Sequence, residues 1–247
     1  MNTQKKPLIS IITVSYNAVN TIEQTILSVI NQGFDEYEYI IIDGLSNDGT
    51  IEIIKKYEDR ITFWVSESDK GIFDDMNKGV KMAKGELISL LNSDDWYEEG
   101  TLAKVAENFY SNPNVDVLHG LLRIINNDNN MPSLIRGHYS SNLINGMIEH
   151  PTCFVKKGLF EKVGMFDLKY KSAADYDWML RSYNIGANFL FIPEIFANFR
   201  TGGMSSSLAG VSDEILIKKR HGIYGNFKYL YWRIFVFLLQ IKKKLIR

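Results

Sequence analysis

The chain has 247 residues, 45% of them apolar, which suits one large α/β domain or two tightly fused halves and excludes a disordered chain. A single cysteine, Cys153, excludes an intramolecular disulfide and a cysteine-built zinc site, fits a reducing cytosol, and joins a polar Met1–Pro7 start from which no secretory signal is expected. The net charge of −1 hides an asymmetry: nine of the 28 basic residues fall between Ile215 and Arg247, a stretch with no acid, so an acidic body carries a basic tail suited to an anionic surface.

Leu8 to Val14 reads as a central strand. Asn20 or Thr21 caps a helix to about Asn31, with Ile22, Ile26, Val29 and Ile30 on one face and Gly33 beyond its end. Tyr39 to Ile42 is a second strand, Thr50 starts a helix that buries Ile53, Ile54 and Tyr57, and Ile61 to Val65 is a third strand. Asp74 to Ala83 is helical and Glu86 to Leu91 is a fourth strand. This alternation predicts a mixed, mostly parallel α/β sheet with helices on both faces.

After Asp95 the rhythm changes. Thr101 to Tyr110 is a helix, stopped by Asn112-Pro113. Val115–His119 and Leu121–Ile125 read as strands, Asn126–Pro132 as an exposed polar loop, and Cys153–Val155 as a strand. Helices follow at Leu159–Val163 and Asp175–Asn184, then strands at Phe189–Ile192 and Ile195–Arg200. The division expected is a nucleotide-binding half to about residue 92, an acceptor half over 93–205, and a helical tail over 206–247.

A carboxylate at the carboxyl end of a buried strand points into the crevice where α/β sheets bind ligands. Four acidic groups fall at such points: Asp43, Asp69 to Asp75, Asp94-Asp95, and Asp175 with Asp177. Their convergence points to a divalent metal, a nucleotide and a general base. Asn92-Ser93-Asp94-Asp95 offers ligands for Mg²⁺ or Mn²⁺, which take one or two carboxylates plus phosphate oxygens, or else a helix N-cap with a solvated neighbour. Asp43 is placed to accept a hydrogen bond from a base, whereas Asn47, Asp48 and Gly49 are turn chemistry. Tyr16 is placed to stack on that base or to join the core.

Lys70 either neutralises a diphosphate or is solvated, and the Phe199–Ser205 loop with Arg200 either closes over the diphosphate or connects to the tail. Asp175 is a candidate base for an acceptor hydroxyl or an N-cap, and Asp177 is structural. His150 touches acceptor or phosphates, or is a satisfied loop histidine, and no His/Cys spacing points to zinc. In the tail, Tyr229 to Ile241 is apolar and aromatic between Lys228 and Lys242-Lys243-Lys244. It falls short of the roughly 20 residues a spanning helix needs. A helix lying in the membrane interface is favoured over one packed on the body or on a second subunit.

In combination these residues resemble a family 2 glycosyltransferase with the GT-A fold, nearest the bacterial O-antigen and capsule polysaccharide subgroup. The resemblance runs from Pro7 to about Ser205 and rests on Ile12-Thr-Val-Ser-Tyr-Asn17, Ile42-Asp43-Gly44, Asp69-Lys70-Gly71-Ile72-Phe73-Asp74, Met76-Asn77-Lys78-Gly79, Asn92-Ser93-Asp94-Asp95, Ala174-Asp175-Tyr176-Asp177, and Phe199-Arg200 before Gly202-Gly203. It implies that Asp43 contacts uracil between Val14 and Tyr16, that Asp94 holds the ribose or donor sugar, that Asp95 binds the metal, and that Asp175 is the base for in-line attack with inversion. It departs from the family at Gly44, where many relatives carry a second acid, and at Ala174, where Glu is common. The implied reaction moves glucose or galactose from a UDP-sugar to an N-acetylhexosamine on undecaprenyl diphosphate. The partners expected are that donor, that acceptor and the cytoplasmic face of the inner membrane, and no nucleic acid.

Three other readings compete. A sugar-nucleotide pyrophosphorylase requires a basic, glycine-rich loop after the first strand, where Val14 to Thr21 has neither glycine nor lysine. A dinucleotide oxidoreductase requires Gly-x-Gly-x-x-Gly at the same place. A non-catalytic membrane scaffold keeping the fold is opposed by the full set of carboxylates.

Overall fold

The computed structural model describes residues 6–127, 131–202 and 208–245, the side chains of Gln240 and of 242–245 excepted. Its first half alternates β1 (Ile9–Ser15), α1 (Ile22–Ile30), β2 (Tyr37–Asp43), α2 (Thr50–Lys56), β3 (Phe63–Ser66), α3 (Ile72–Met82) and β4 (Leu87–Asn92). The second half contains β5 (Trp96–Tyr97), α4 (Thr101–Ser111), β6 (Val117–Asn126), β7 (Met131–Arg136), β8 (Phe154–Lys156), α5 (Lys157–Val163), α6 (Ala174–Asn184), β9 (Phe189–Arg200), α7 (Leu208–Arg220) and α8 (Asn226–Leu245).

One sheet runs β3-β2-β1-β4-β8-β6-β9-β5, with β7 on the free side of β6. β1 to β4 are parallel, as are β6 and β9, and the greater part of the paired length is parallel. The contacts of β8 with β4 and β6, of β5 with β9 and of β7 with β6 are antiparallel. The apolar runs of β1, β2 and β4 follow from burial on both faces. Ile9, Ile11, Tyr39, Ile41, Leu87 and Leu91 point into one core with α1 and α4, while Ile12, Val14, Ile40, Ile42, Ile88 and Leu90 point into the other with α3, α5 and α6. Each buried Ile or Leu contributes about 2 kcal/mol. Gly79 lets α3 lie close on β1, since a Cβ there would sit 2.3 Å from Ile12 Cγ2.

Several elements differ from the sequence reading. The two strands expected on each side of Gly120 form one strand, β6, whose pairing with β9 shifts register there. A Cβ on Gly120 would meet Glu194 O at 2.7 Å, so this glycine marks a bulge and not a turn. β9 is likewise continuous through Pro193-Glu194. The polar loop expected to Pro132 gives way at Met131 to the exposed edge strand β7, where Pro132 is tolerated because an edge leaves one side unpaired; residues 128–130 lie outside the described residues.

The tail is two helices of different character. α7, part of the helical tail expected over 206–247, buries Ile215, Ile217 and Lys218, and Ile217 joins the core beneath α6. α8 is 20 residues long and lies on α7. It buries Val236 while Phe227, Leu230, Tyr231, Ile234, Phe237 and Leu238 are exposed. No described helix is long and apolar enough to cross a membrane.

Candidate active site

Register fixes the crevice. Ser15 pairs with Asp43, Asp43 with Ser66, and Val14 with both Ile42 and Asn92, so the carboxyl ends of β1 to β4 come level. Asp43 is fully buried at the centre. Its Oδ1 accepts Ser15 Oγ at 2.9 Å and Ser46 Oγ at 2.5 Å, and its Oδ2 accepts Ser46 N at 2.9 Å and Ser66 Oγ at 2.7 Å. These four donors fill the lone-pair sites of a carboxylate. A direct contact of Asp43 with a base, as expected from the sequence, displaces one of these donors, whereas the three serine oxygens keep lone pairs that Asp43 orients. Val14 is buried in the core, which leaves its backbone as the part at the crevice, and Tyr16 is 66% exposed just past the strand end.

The turns beside Asp43 are strained. Asn17 (φ 49°) and Leu45 (φ 61°) are left-handed without being glycine, and such residues cluster at ligand sites. Asn17 is locked by its N–H to Ser46 Oγ and its Oδ1 from Asn47 N. Leu45 is exposed, with no polar side chain to offset its conformation.

Gly44 explains the missing second acid. A Cβ there would lie 2.2 Å from Asp69 Oδ2 and 3.5 Å from Asp75 Oδ2, so the Asp69 carboxyl takes that space. Buried Asp75 hydrogen-bonds Asp69, and burial foremost, with the Asp69 charge, pushes its carboxyl up to about 7 against the pull of Lys78. Lys78 Nζ contacts Asp75 Oδ1 and Glu67, each at 3.1 Å. Lys70, one residue past Asp69, is exposed and its backbone N–H donates to Asp74.

At the end of β4, Asp94 is partly exposed and Asp95 fully buried. Burial raises both carboxyls, and the Asp94 charge raises Asp95 further against the pull of Arg200. The N-cap alternative fails for Asp95, since α4 begins at Thr101 behind a left-handed Gly100. Asp95 Oδ1 accepts Arg200 N at 3.2 Å, whereas among the described residues Asp95 Oδ2 and Asn92 Oδ1 are buried without a hydrogen-bond partner. Two orphaned oxygens beside two destabilised carboxyls fit a hard divalent cation, which offsets both. Among the described residues no group of three or more His, Cys, Asp or Glu could hold a metal by itself, so such a site is one completed by phosphate oxygens. The Arg200 guanidinium lies 5.0 Å from the Trp96 ring centre and donates to Gln24 Oε1 at 2.8 Å. Of its loop, Gly203 to Ser205 lie outside the described residues.

In the second half, Asp175 sits in the first turn of α6, one residue inside its start, so it is not the cap. It is largely buried, and burial raises its carboxyl against the pull of His150. His150 Nδ1 is 3.9 Å from Asp175 Oδ2, longer than a hydrogen bond and an ion pair only when the ring is protonated. Burial lowers His150, which keeps the ring neutral near pH 7. His150 opens a short 3₁₀ turn with Pro151 next, and buried Glu149 before it accepts Arg136 Nε at 3.1 Å and His138 Nδ1 at 2.7 Å. Asp177 points away into a bond with Arg181 Nε at 2.8 Å, as its structural reading expects.

The sequence reading missed Ser15, Ser46 and Ser66, because a serine at a strand end carries no signal until the register brings it to a carboxylate. It also missed Glu149, which is legible only as the acid beside His150, and the strain at Leu45.

The family model for glycosyl transferase family 2 matches residues 10–193. The chain is 30% identical over 183 residues to an uncharacterized glycosyltransferase of Mycobacterium tuberculosis, covering 71% of this chain and 69% of that one. It is 40% identical over 108 residues to TuaG of Bacillus subtilis, a putative teichuronic acid biosynthesis glycosyltransferase, covering 42% of this chain and 43% of the relative. Among solved structures it resembles S. aureus TarS 1–349 in complex with UDP-GlcNAc, with TM-score 0.68 and 20% identity over 91% of this chain and 69% of that one. It spans 39% of the longer TarS chain. It also resembles the mannosyltransferase PcManGT from Pyrobaculum calidifontis in complex with GDP-Man and Mn²⁺, with TM-score 0.69 and 16% identity over 94% and 70% of the two chains. At such identities the solved structures speak to the fold, and the expected GT-A architecture holds. The family match spans three quarters of the sequence and includes the ends of every parallel strand of the crevice: the chain belongs to glycosyl transferase family 2.

Proposed function

We propose that the chain is a metal-dependent, inverting hexosyltransferase that uses a UDP-sugar, UDP-glucose or UDP-galactose, to extend a sugar carried on undecaprenyl diphosphate, forming a β-glycoside in O-antigen or related surface polysaccharide synthesis. The observation that carries this reading is Asp175: a largely buried carboxylate raised by burial, facing a neutral His150, in the acceptor half of a family 2 chain. A base needs its pKa drawn toward working pH and a protected position, and both conditions are met. Similarity to a teichuronic acid biosynthesis protein and to a UDP-GlcNAc-bound structure supports surface polysaccharide and a UDP donor. The GDP-Man complex of the other neighbour makes GDP-mannose the second donor reading.

In this reading Tyr16 and the Val14 backbone frame uracil, and the base is read by the serine oxygens that Asp43 orients. Asp94 holds the ribose or donor sugar. Lys70 and Arg200 meet the diphosphate, and His150 meets the acceptor. Asp95, through its unpaired Oδ2, holds Mn²⁺ or Mg²⁺, which when bound supplies positive charge to the leaving diphosphate. Asp175 accepts the proton of the acceptor hydroxyl as its oxygen bonds to the anomeric carbon, and the bond to UDP breaks on the opposite side. α8 lies in the cytoplasmic membrane interface, with its exposed Phe227, Leu230, Tyr231, Ile234 and Leu238 toward the acyl chains.

Isothermal titration of the full chain with UDP, with and without Mn²⁺, and with GDP in parallel, tests the site. Metal-dependent UDP binding is expected; tighter GDP binding overturns the donor choice, and no nucleotide binding overturns the enzyme reading. Sedimentation with anionic phosphatidylglycerol vesicles in the same buffer tests α8: the full chain is expected to bind and a chain ending at Gly225 to stay in solution. If the truncated chain also sediments, the membrane role of α8 is wrong.

A further inference from the structure

Among the described residues no other side chain hydrogen-bonds Asp175 to hold its aim. The backbone N–H groups of its own turn and His150 at 3.9 Å are what its carboxylate meets. Its position is therefore set by where α6 starts, and that start is gripped from outside by α7. Asp213 Oδ2 on α7 accepts the backbone N–H of Lys171 at 2.6 Å and of Ser172 at 2.9 Å, the residues just upstream of α6. Buried Lys218, one turn further along α7, donates to Asn145 O at 2.5 Å, in the segment that leads to His150, and sits 5.9 Å over the Tyr176 ring. Tyr176, next to Asp175, donates its hydroxyl to Leu143 O at 2.6 Å, so the two segments are also tied to each other. Just past α7, His221 Nε2 meets Asp177 Oδ1 at 3.0 Å.

One helix thus holds the chain before, beside and after Asp175, and also the segment that carries His150. We propose that α7 is a brace for the Asp175–His150 pair, and that Asp213 and Lys218 are positioning residues for the transfer step. The proposal rests on the assignment of Asp175 as base. Two observations set these contacts apart from ordinary helix docking. A buried lysine, its charge paired with Glu214 on the same helix, spends a further donor on a loop carbonyl, an arrangement that is costly unless its partners are held in place. A single carboxylate oxygen joins two consecutive backbone N–H groups at the entry to the helix that carries Asp175. Misplacing a reacting group by about 1 Å lowers the rate on the order of 10²-fold, so slackness at this entry acts on turnover and not on the nucleotide contacts at the ends of β1 to β4.

The test uses the full chain, wild type, Asp213→Ala, Asp213→Asn and Lys218→Met. Amide hydrogen exchange over 168–180, UDP affinity by calorimetry, and turnover of whichever of UDP-glucose, UDP-galactose and UDP-GlcNAc the wild type consumes are measured together. Asp213→Ala is expected to speed exchange at 171–176 and to lower kcat by about tenfold or more, with KM for the donor and UDP affinity within about twofold. Asp213→Asn, which keeps an oxygen acceptor, is expected to recover most of the loss, and Lys218→Met to behave like Asp213→Ala. Wild-type kcat in Asp213→Ala, or UDP affinity lost in step with kcat, overturns the positioning role. A wild-type chain that consumes no sugar nucleotide overturns the functional reading instead; exchange then decides the brace alone, faster exchange upholding it and unchanged exchange overturning it.

Discussion

The two halves of this molecule build their parts of the site by different means. In the first half, candidate side chains stand at the ends of adjacent parallel strands, so the register alone brings Ser15, Asp43, Ser66 and Asn92 together. In the second half, Asp175 and His150 stand on a helix start and a 3₁₀ turn, and what holds them comes from α7, some forty residues further along the chain. The first arrangement is rigid because β1, β2 and β4 are each hydrogen-bonded on both sides and β3 is held along β2. The second depends on a few side-chain contacts, which makes it the half where small changes reach turnover first.

Substitutions that separate binding from transfer sharpen this contrast. The largest effect is expected at Asp175→Asn: kcat falls by about 10³-fold while UDP affinity is kept, because a general base contributes roughly 10²–10⁴. In the wild type the acid limb of the kcat profile is expected above the ordinary carboxylate range, because burial raises Asp175. Near-normal turnover in the variant, by radiolabelled sugar transfer, would remove Asp175 as base. Asp43→Asn should do the reverse. Turning one acceptor oxygen into a donor facing serine hydroxyls and a backbone N–H costs about 2 kcal/mol or more of stability and lowers UDP affinity about tenfold or more. Unchanged calorimetric affinity breaks the claim that Asp43 organises the base site.

The smallest of the three effects concerns Asp75. Its carboxyl is pushed up to about 7 in the folded chain from an ordinary value of 3.8. The folded chain therefore keeps a proton that the unfolded chain releases between about pH 4 and 7, and stability falls as pH rises through that window. Asp75→Asn retains a donor toward Asp69 and removes the titration. It is expected to flatten the profile between pH 5 and 8 and to raise stability at pH 8, read by urea unfolding at both values. Parallel profiles for wild type and variant mean that Asp69 and Asp75 share no proton.

Much of the first half was legible because its strands are unbroken Ile, Leu and Val runs with carboxylates at their ends. An aspartate after a doubly buried strand has only the crevice to face. The second half was legible as elements and less so as connections. Gly120 and Pro193 look like turns in sequence and are bulges in one continuous strand pair, because a bulge and a turn use the same residues. Asp43 and Asp177 illustrate the limit for single residues: both are fully buried acids, one at the crevice and one turned into Arg181 and His221.

The alternating layers, the strand-end carboxylates and the pairing of an acidic body with a basic, aromatic tail can all be read from local periodicity and charge. The three serines and the backbone N–H on Asp43, the space that Gly44 yields to Asp69, and the contact of α7 with the entry to α6 come from packing between distant segments. The reason is physical: periodicity tells which face of an element is buried, but a hydrogen bond between distant segments exists only once packing has fixed both ends.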